Sequence, residues 1–389
     1  MPRILWLLPT LVVLIQATPP FPFGGGVSQV YETTDTLPLP NLGNIVAHDP
    51  NIVQSNGYYY LFKGDPHIPF FKAANMSGPW ELVGHVFNQA SIIQHKGSRK
   101  RPWAPTTIEH NGTFYCYYTL STHGSRDSAI GVATTTTLDG SAWTDHGAVI
   151  ETDGGKDSLV YPFNITNAID PSFITDQTTG ESYLNWGSFW NDIWQLPLSA
   201  DLLSVKNRTD PDAVQLSFIP HKKSKPEEGS WMSYHDPYYY VTASGLAGRE
   251  TCEGPFVDKD NNLLLDGGGT IVYASNHGKV YAPGGVGVVS GMNASTSDIL
   301  YFHYLNTSIG FTDEVCMPET WNRMGGELTT FPGCPYGLAL SQLYRRLAGR
   351  SPNGRQQQRE VVALPTSLVL LDDVDEYVES ARGFEMWSC

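Results

Sequence analysis

Turn signals followed by aromatic or β-branched runs recur five times between residues 56 and 304. Asn-Gly or a similar pair before such a run is typical of a hairpin that leads into a buried strand. The five strands predicted in this way cover residues 58–62, 113–118, 182–186, 238–241 and 299–304. Because no long stretch shows the periodicity of an amphipathic helix, the pattern predicts an all-β fold.

Each run is preceded by a short opening segment: HDP, WAP, IDP, EGS or YAP, marked by Asp49, Trp103, Asp170, Glu228 and Tyr281. The markers recur every 53 to 67 residues, which is enough chain for four short strands, the content of one propeller blade. This spacing predicts a five-bladed β-propeller with the opening segments gathered around a central channel. A β-sandwich is the structural alternative, but it would not space equivalent motifs so evenly.

The composition agrees with many short strands and restricts the partners. Charged residues make up 16% and aromatic residues 12% of the chain, with 38 Gly and 27 Pro. The formal net charge of −15 argues against nucleic acid as a ligand, since phosphate binding needs a basic surface. A neutral polysaccharide fits this charge better than an acidic one.

The first residues resemble a secretory signal peptide. Arg3 precedes an apolar run over residues 4–15, and small or polar residues follow up to Thr18. The run is too short to span a bilayer, so we predict cleavage near residue 18 and secretion. A membrane anchor or a buried helix is the alternative. Six Asn-X-Ser/Thr sequons agree with an extracellular glycoprotein: Asn75, Asn111, Asn164, Asn207, Asn293 and Asn306.

The five cysteines do not predict a metal site. Their positions, 116, 252, 316, 334 and 389, include no CxxC or Cys/His spacing of the kind that binds zinc. Cys116 lies in an aromatic run, so we expect it to be buried in a strand. The odd number of cysteines leaves the disulfide pairing open.

From about Ile45 to Phe311 the chain resembles glycoside hydrolase family 43, specifically its endo-arabinanases. The matching strings, in order, are VAHDPNIV, WAP, STHGSRDSAIGVAT, WTDHG, NAIDPSFI, NWGSFWNDIWQ, EEGSW, LDGGGTIV, VYAPGGVGV and YFHYLNTSIGF. The resemblance implies a five-bladed propeller that cleaves α-1,5-linked arabinan with inversion.

By the resemblance, three carboxylates carry the chemistry. Asp49 would be the general base, Glu228 the general acid, and Asp170 the group that raises the pKa of the acid. An oxocarbenium-like transition state needs one protonated and one ionised carboxyl group on opposite sides of the bond. Taken alone, an Asp before Pro is more often a turn former. Glu227 competes with Glu228, and the family pattern, which places the acid directly before Gly, favours Glu228.

The resemblance also implies a set of sugar-binding residues and no cofactor. The substrate-binding candidates are Trp103, Gly124, Asn167, Ala168, Ile169, Gly187, Ser188 and Phe189. A buried structural role for Trp103 is a close alternative. Relatives with a central metal place a His in the blade-five loop, and this chain has Tyr281-Ala282-Pro283 there, so we predict no metal and find no support for a structural calcium.

Two departures from the family pattern affect the expected fold. The segment between Tyr240 and Gly254 shows no strand-like alternation, which predicts an imperfect fourth blade. After Glu314 the resemblance ends, which predicts an incomplete fifth blade and disorder over Arg345–Arg359. We therefore expect a signal peptide at 1–18, a lead-in at 19–40, a propeller catalytic domain at 41–314 and a divergent, partly disordered region at 315–389.

The sequence leaves three functional classes open. An active endo-arabinanase is favoured by STHGS and GSFW. An inactive sugar-binding propeller and an exo-acting arabinofuranosidase or β-xylosidase of the same family are the alternatives. For the favoured endo-arabinanase the expected partners are arabinan and arabino-oligosaccharides, with no nucleic acid and no membrane, and the protein is expected to be a monomer.

Overall fold

The computed structural model describes residues 41–306, except positions 65, 156, 224, 226, 244, 279 and 290–297, together with residues 327–330. The signal peptide predicted at 1–18, the lead-in at 19–40 and the stretch Arg345–Arg359 lie outside the described residues. No helix among the described residues is long and apolar enough to cross a membrane.

The described part of the chain is built from antiparallel sheets, with one short 3-10 turn at Leu264–Asp266. The first sheet contains, in order, β2 (Asn51–Ser55), β3 (Tyr58–Phe62), β4 (Pro69–Ala73) and β5 (Glu81–His85). The second contains β6 (Trp103–His110), β7 (Thr113–Leu120), β8 (Ala129–Thr135) and β9 (Thr144–Glu151). The third contains β10 (Ser172–Thr175), β11 (Ser182–Trp186), β12 (Ile193–Pro197) and β13 (Val214–Ser217).

Two further sheets depart from this simple order. The fourth has three strands: β14 (Trp231–His235), β15 (Tyr238–Thr242) and β16 (Leu246–Arg249). The fifth joins both ends of the described chain in the order β1 (Asn41–Val46), β19 (Glu327–Thr330), β18 (Ile299–Asn306) and β17 (Val280–Val289). β19 lies beyond residue 314, where the sequence placed the end of the propeller, and it pairs with both β18 and β1.

The predicted hairpins are confirmed. Asn56-Gly57 joins β2 to β3 and Asn111-Gly112 joins β6 to β7, and all four residues have φ between 50° and 76°. A two-residue turn with both φ values positive matches the twist of the flanking strands, which is why Asn-Gly is favoured there. The five aromatic runs all lie in the second strand of a hairpin: β3, β7, β11, β15 and β18.

The sheets form a β-propeller arrangement and not a sandwich. The first strand of each sheet (β2, β6, β10, β14 and β17) contacts the first strand of the next sheet, and β17 contacts β2. Apolar side chains fill the spaces between neighbouring sheets, with Trp186, Tyr117 and Phe163 fully buried between the second and third. Cys116 is buried in β7, as predicted.

The fourth sheet has three strands where the other sheets have four, as predicted. The expected position of the missing strand, between Tyr240 and Gly254, was wrong. The segment without alternation contains β16, whose Leu246 and Ala247 are buried. A strand buried on both faces has no polar face, and so it shows no alternation. The irregularity lies further along, where only isolated bridges at Val257, Leu263 and Thr270 continue the sheet.

Candidate active site

Five turns at the pocket side of the sheets share one backbone conformation. Asp49, Ala104, Asp170, Gly229 and Gly285 each lie at the start of, or within, an inner strand and have φ of 47°, 41°, 54°, 60° and 55°. A left-handed conformation costs a non-glycine residue about 1–3 kcal/mol and persists only where the surrounding structure enforces it. The chain therefore repeats a strained turn around the channel.

These turns converge on one open pocket. Its lining comes from every sheet: Asp49, Pro50, Ala104, Pro105, Thr106, Asp170, Pro171, Gly229, Ser230, Trp231, Gly285 and Val286. The prediction that the openings of distant repeats become neighbours is confirmed for the first four repeats. In the fifth, Gly285 and Val286 line the pocket instead of the predicted Tyr281-Ala282-Pro283.

Asp49 is held by two histidines and closely approached by a glycine. Its backbone N–H donates to Nδ1 of His303 at 3.1 Å, and its Oδ2 lies 3.3 Å from Nδ1 of His48. A methyl group on Gly285 would lie 3.0 Å from Oδ1 of Asp49 and 2.6 Å from Nδ1 of His303. Only glycine fits at position 285 without moving this group.

His303 is neutral. Burial lowers its pKa to about 3, the neighbouring His48 adds to this, and the negative charge of Asp49 opposes it. Its Nδ1 accepts the Asp49 N–H, so that nitrogen carries no proton. The 3.5 Å separation between this Nδ1 and Oδ1 of Asp49 is therefore not an ion pair.

Asp170 links three blades. Its N–H donates to Oγ1 of Thr119 at 3.2 Å, and its Oδ2 accepts the N–H of Gly229 at 3.1 Å. The next residue, Pro171, accepts a hydrogen bond from Oγ1 of Thr106 at 2.5 Å. Burial raises the pKa of Asp170 well above its ordinary value, the charges of Glu228 and Asp49 raise it further, and the Gly229 N–H opposes the rise.

Glu228 faces the same group. Its Oε2 accepts the hydroxyl of Ser188 at 2.8 Å. Burial raises the pKa of Glu228, the Ser188 hydrogen bond opposes the rise, and the charge of Asp49 adds to it. The Glu228 residue is exposed, whereas Asp170 is half-buried. The charge of Glu228 thus favours the protonated form of Asp170.

The two adjacent glutamates have different surroundings. Glu227 is 1% exposed, and its Oε1 accepts the hydroxyl of Ser217 at 2.7 Å. Its carbonyl oxygen accepts the N–H of Phe189. Glu227 thus joins two loops inside the protein, whereas Glu228 is exposed.

The predicted sugar-binding residues fall into two groups. In the first group Gly124 is exposed, Trp103 and Phe189 are half-buried, and Ser188 donates its hydroxyl to Glu228. The Trp103 ring lies edge-on to the ring of His123, with 6.4 Å between the ring centroids. The other group is buried: Asn167, Ala168, Ile169 and Gly187.

The buried group supports the loop that leads to Asp170. Asn167 accepts the hydroxyl of Ser128 at 2.7 Å, and the Ala168 N–H donates to Oγ1 of Thr152 at 3.1 Å. The Ile169 carbonyl accepts the Gly187 N–H at 3.0 Å. A methyl group on Gly187 would lie 2.0 Å from the carbonyl oxygen of Asp192, so close backbone packing requires this glycine.

One group of residues could hold a cation. Ligand atoms of His48, Asp49 and His303 all lie within 4.8 Å of one another. The sequence prediction of no metal considered only the loop around Tyr281, whereas His303 comes from β18. Imidazole nitrogen together with carboxylate oxygen suits several divalent ions. The absence of a metal stays a prediction.

Three residues of the site were not identified from the sequence. His303 lies within an aromatic run that indicates a buried strand, and it meets Asp49 across 254 positions. Thr119 is the second-last residue of β7, and Thr106 lies in β6. A polar residue inside an otherwise apolar run was the one available signal, because buried polar groups need partners.

Comparison with known proteins agrees with this geometry. The profile for glycosyl hydrolases family 43 matches residues 42–323. The probable arabinan endo-1,5-α-L-arabinosidase D of Emericella nidulans is 50% identical over 305 residues, covering 73% of this chain and 79% of its own. The arabinan endo-1,5-α-L-arabinosidase B of the same fungus is 40% identical over 315 residues, covering 68% and 77%.

Solved structures share the fold at lower identity. An exo-1,5-α-L-arabinanase from a bovine ruminal metagenomic library superposes with a TM-score of 0.60 at 24% identity, covering 75% of this chain and 94% of that one. The α-L-arabinanase of Cellvibrio cellulosa in complex with arabinohexaose superposes with a TM-score of 0.59 at 21% identity, covering 74% of this chain and 90% of that one. The chain belongs to glycosyl hydrolases family 43.

Proposed function

We propose that this protein is a secreted arabinan endo-1,5-α-L-arabinosidase that cleaves internal α-1,5-L-arabinofuranosidic bonds with inversion. The observation that carries the proposal is the grouping of three carboxyl groups from three different sheets. Asp49 and Asp170 line the pocket, and the charges of Glu228 and Asp49 both act on Asp170. The relative at 50% identity, named an arabinan endo-1,5-α-L-arabinosidase, supports the substrate.

Glu228 acts as the general acid. It must be protonated when the glycosidic oxygen leaves, and a raised pKa maintains this state at working pH. Burial supplies the rise, and the Asp49 charge adds to it. The Ser188 hydroxyl orients the carboxyl group at 2.8 Å and limits the rise.

Asp49 acts as the general base that activates water on the opposite side of the sugar. The Asp49 backbone is fixed by its bond to His303, and neutral His303 adds no positive charge beside the carboxylate. An ionised base and a protonated acid on opposite faces of the ring are what inversion requires.

Asp170 adjusts the pKa of Glu228 and orients the turn that carries it. Its carboxylate is tied to the Gly229 N–H, the residue directly after the acid, so the charge lies close to Glu228 and fixes the turn that carries it. Repulsion between the two carboxylates favours one shared proton over two ionised groups.

Product analysis on linear debranched arabinan tests the function. An endo-acting enzyme releases mixed short oligomers early in the reaction, and NMR of the first product shows the β-anomer if the reaction inverts. Release of arabinose alone would identify the exo-acting alternative. Binding to arabinan without any product would identify an inactive sugar-binding propeller.

We further propose that β17–β18, completed by β19 and β1, act as the fifth blade of a monomeric propeller. The contact of β17 with both β14 and β2 supports closure of the ring. Secretion is supported by the charged start and apolar run of residues 3–18. Mass spectrometry of the native extracellular protein would give its N-terminus and glycans, and sedimentation would give its oligomeric state.

A further inference from the structure

Large apolar side chains are exposed on two loops of the third sheet. Leu159 and Tyr161, in the loop between β9 and β10, are 92% and 60% exposed, and Trp190, between β11 and β12, is 38% exposed. Side chains of this kind grouped on one face of a soluble protein mark an interaction site.

Both loops lie on the face that holds the pocket. β10 begins directly after Asp170 and Pro171, and β11 runs antiparallel to it, pairing Asn185 with Ser172. The end of β11 and the start of β10 are therefore at the same edge of the sheet. The hairpin between β10 and β11 is at the opposite edge.

Hydrogen bonds and ring packing join the two loops. The Asn191 side-chain amide donates to the Ile165 carbonyl at 2.9 Å, and the indole N–H of Trp194 donates to the Asn191 carbonyl at 2.9 Å. The Tyr161 ring packs edge-on to Trp194 at 5.5 Å. Tyr161 and Trp190 thus lie on two loops that are joined to each other through Asn191 and Trp194.

The turn that presents Trp190 is strained. Phe189, Trp190 and Asp192 have φ of 51°, 46° and 55°, although none is glycine. The Asp192 carboxylate accepts the Ile219 N–H at 2.8 Å and holds the turn in place. Strain of this kind concentrates at functional sites. The turn follows Ser188, which contacts Glu228, so it continues from the catalytic group to the exposed indole.

We propose that Trp190, Tyr161 and Leu159 form a distal binding platform for the arabinan chain, several sugars away from the bond that is cleaved. This inference rests on the proposed function. Arabinofuranose rings present uncharged C–H faces that pack on Trp and Tyr, while their hydroxyls stay in water. Contacts with remote sugars supply binding energy that short substrates cannot use.

The test compares long and short substrates for Trp190→Ala and Tyr161→Ala. We expect kcat/KM on linear arabinan to fall about tenfold for each variant, equivalent to about 1.4 kcal/mol, and the fall on arabinotriose to be several times smaller. Tyr58→Ala is the matched control, because Tyr58 is 39% exposed at the β2–β3 hairpin on the opposite face. We expect it to cleave both substrates like the wild type.

Affinity electrophoresis in gels containing debranched arabinan separates this proposal from the proposed function. Weaker retardation of both platform variants, with Tyr58→Ala unchanged, supports the platform even if the wild type releases no product. Equal losses on long and short substrates, or unchanged retardation of both variants, overturns it. Because Trp190 and Tyr161 lie on different loops, failure of one variant to fold leaves the other as the test.

Discussion

The opening turns of the second and third repeats share a backbone but differ in chemistry. Ala104 and Asp170 have φ of 41° and 54°, each precedes a proline, and both line the pocket. Asp170 bonds to the turn that carries Glu228, whereas Ala104 has a methyl group and makes no such bond. The ring of left-handed turns is therefore a scaffold, and chemistry depends on which turns carry a carboxylate.

The largest effect is expected where a turn carries the acid or the base. Asp49→Ala and Glu228→Ala should each lower kcat by about 10³-fold or more, since general acid–base catalysis contributes about 10²–10⁴. Binding of oligosaccharide should stay detectable by calorimetry. Glu227→Gln is the control for the adjacent position. It should lower the melting temperature and change kcat little, because the Glu227 carboxylate accepts the Ser217 hydroxyl inside the protein. Equal kcat losses for Glu227 and Glu228 variants would contradict the assignment.

Asp170→Asn should have the second-largest effect, with kcat about 10²-fold lower and a changed pH profile. Its charge favours protonated Glu228, so removing it lowers the pKa of the acid. Because the acid must be protonated, activity is lost as pH rises through that pKa. The alkaline limb of the kcat/KM profile should therefore move to lower pH. A profile identical to that of the wild type would show that Asp170 does not tune Glu228.

Two glycine turns sharpen the comparison further. In Gly285→Ala the new methyl would overlap His303 and Asp49, whereas at Gly229 the nearest atoms are 3.8 Å away. Both variants incur left-handed strain of about 1–2 kcal/mol, but only Gly285→Ala adds overpacking of about 1–3 kcal/mol. We expect Gly285→Ala to be less stable in urea unfolding and at least tenfold less active than Gly229→Ala. Similar behaviour of the two variants would mean that the Asp49–His303 contact adapts freely.

The sequence predicted features that rest on local chemistry. Asn56-Gly57 and Asn111-Gly112 specify tight turns, and the aromatic runs after them specify buried strands, so the hairpins followed directly. The even spacing of the openings then indicated which distant residues would meet.

Long-range contacts were not predictable in this way. His303 is specified by its place in β18, and nothing near it in sequence indicates Asp49 as its partner. β16 was missed because burial on both faces removes the alternation that marks a strand. The strained turn at Phe189–Asp192 contains no glycine, so its conformation depends on Ile219 and Ile165, which are distant in sequence.

The smallest expected effect tests the strain itself. Ala104→Gly removes a methyl and adds backbone freedom to the unfolded chain, but it relieves a left-handed conformation worth about 1–2 kcal/mol. Ala133→Gly, in β8, makes the same chemical change at a buried position with ordinary φ. We expect Ala133→Gly to cost about 1–2 kcal/mol and Ala104→Gly to change the free energy of unfolding by less than about 0.5 kcal/mol. Urea unfolding of both variants measures the difference. If the two substitutions lower the free energy of unfolding equally, Ala104 is not strained. The left-handed turn is then a preference of the Ala-Pro sequence that the surrounding sheets do not enforce.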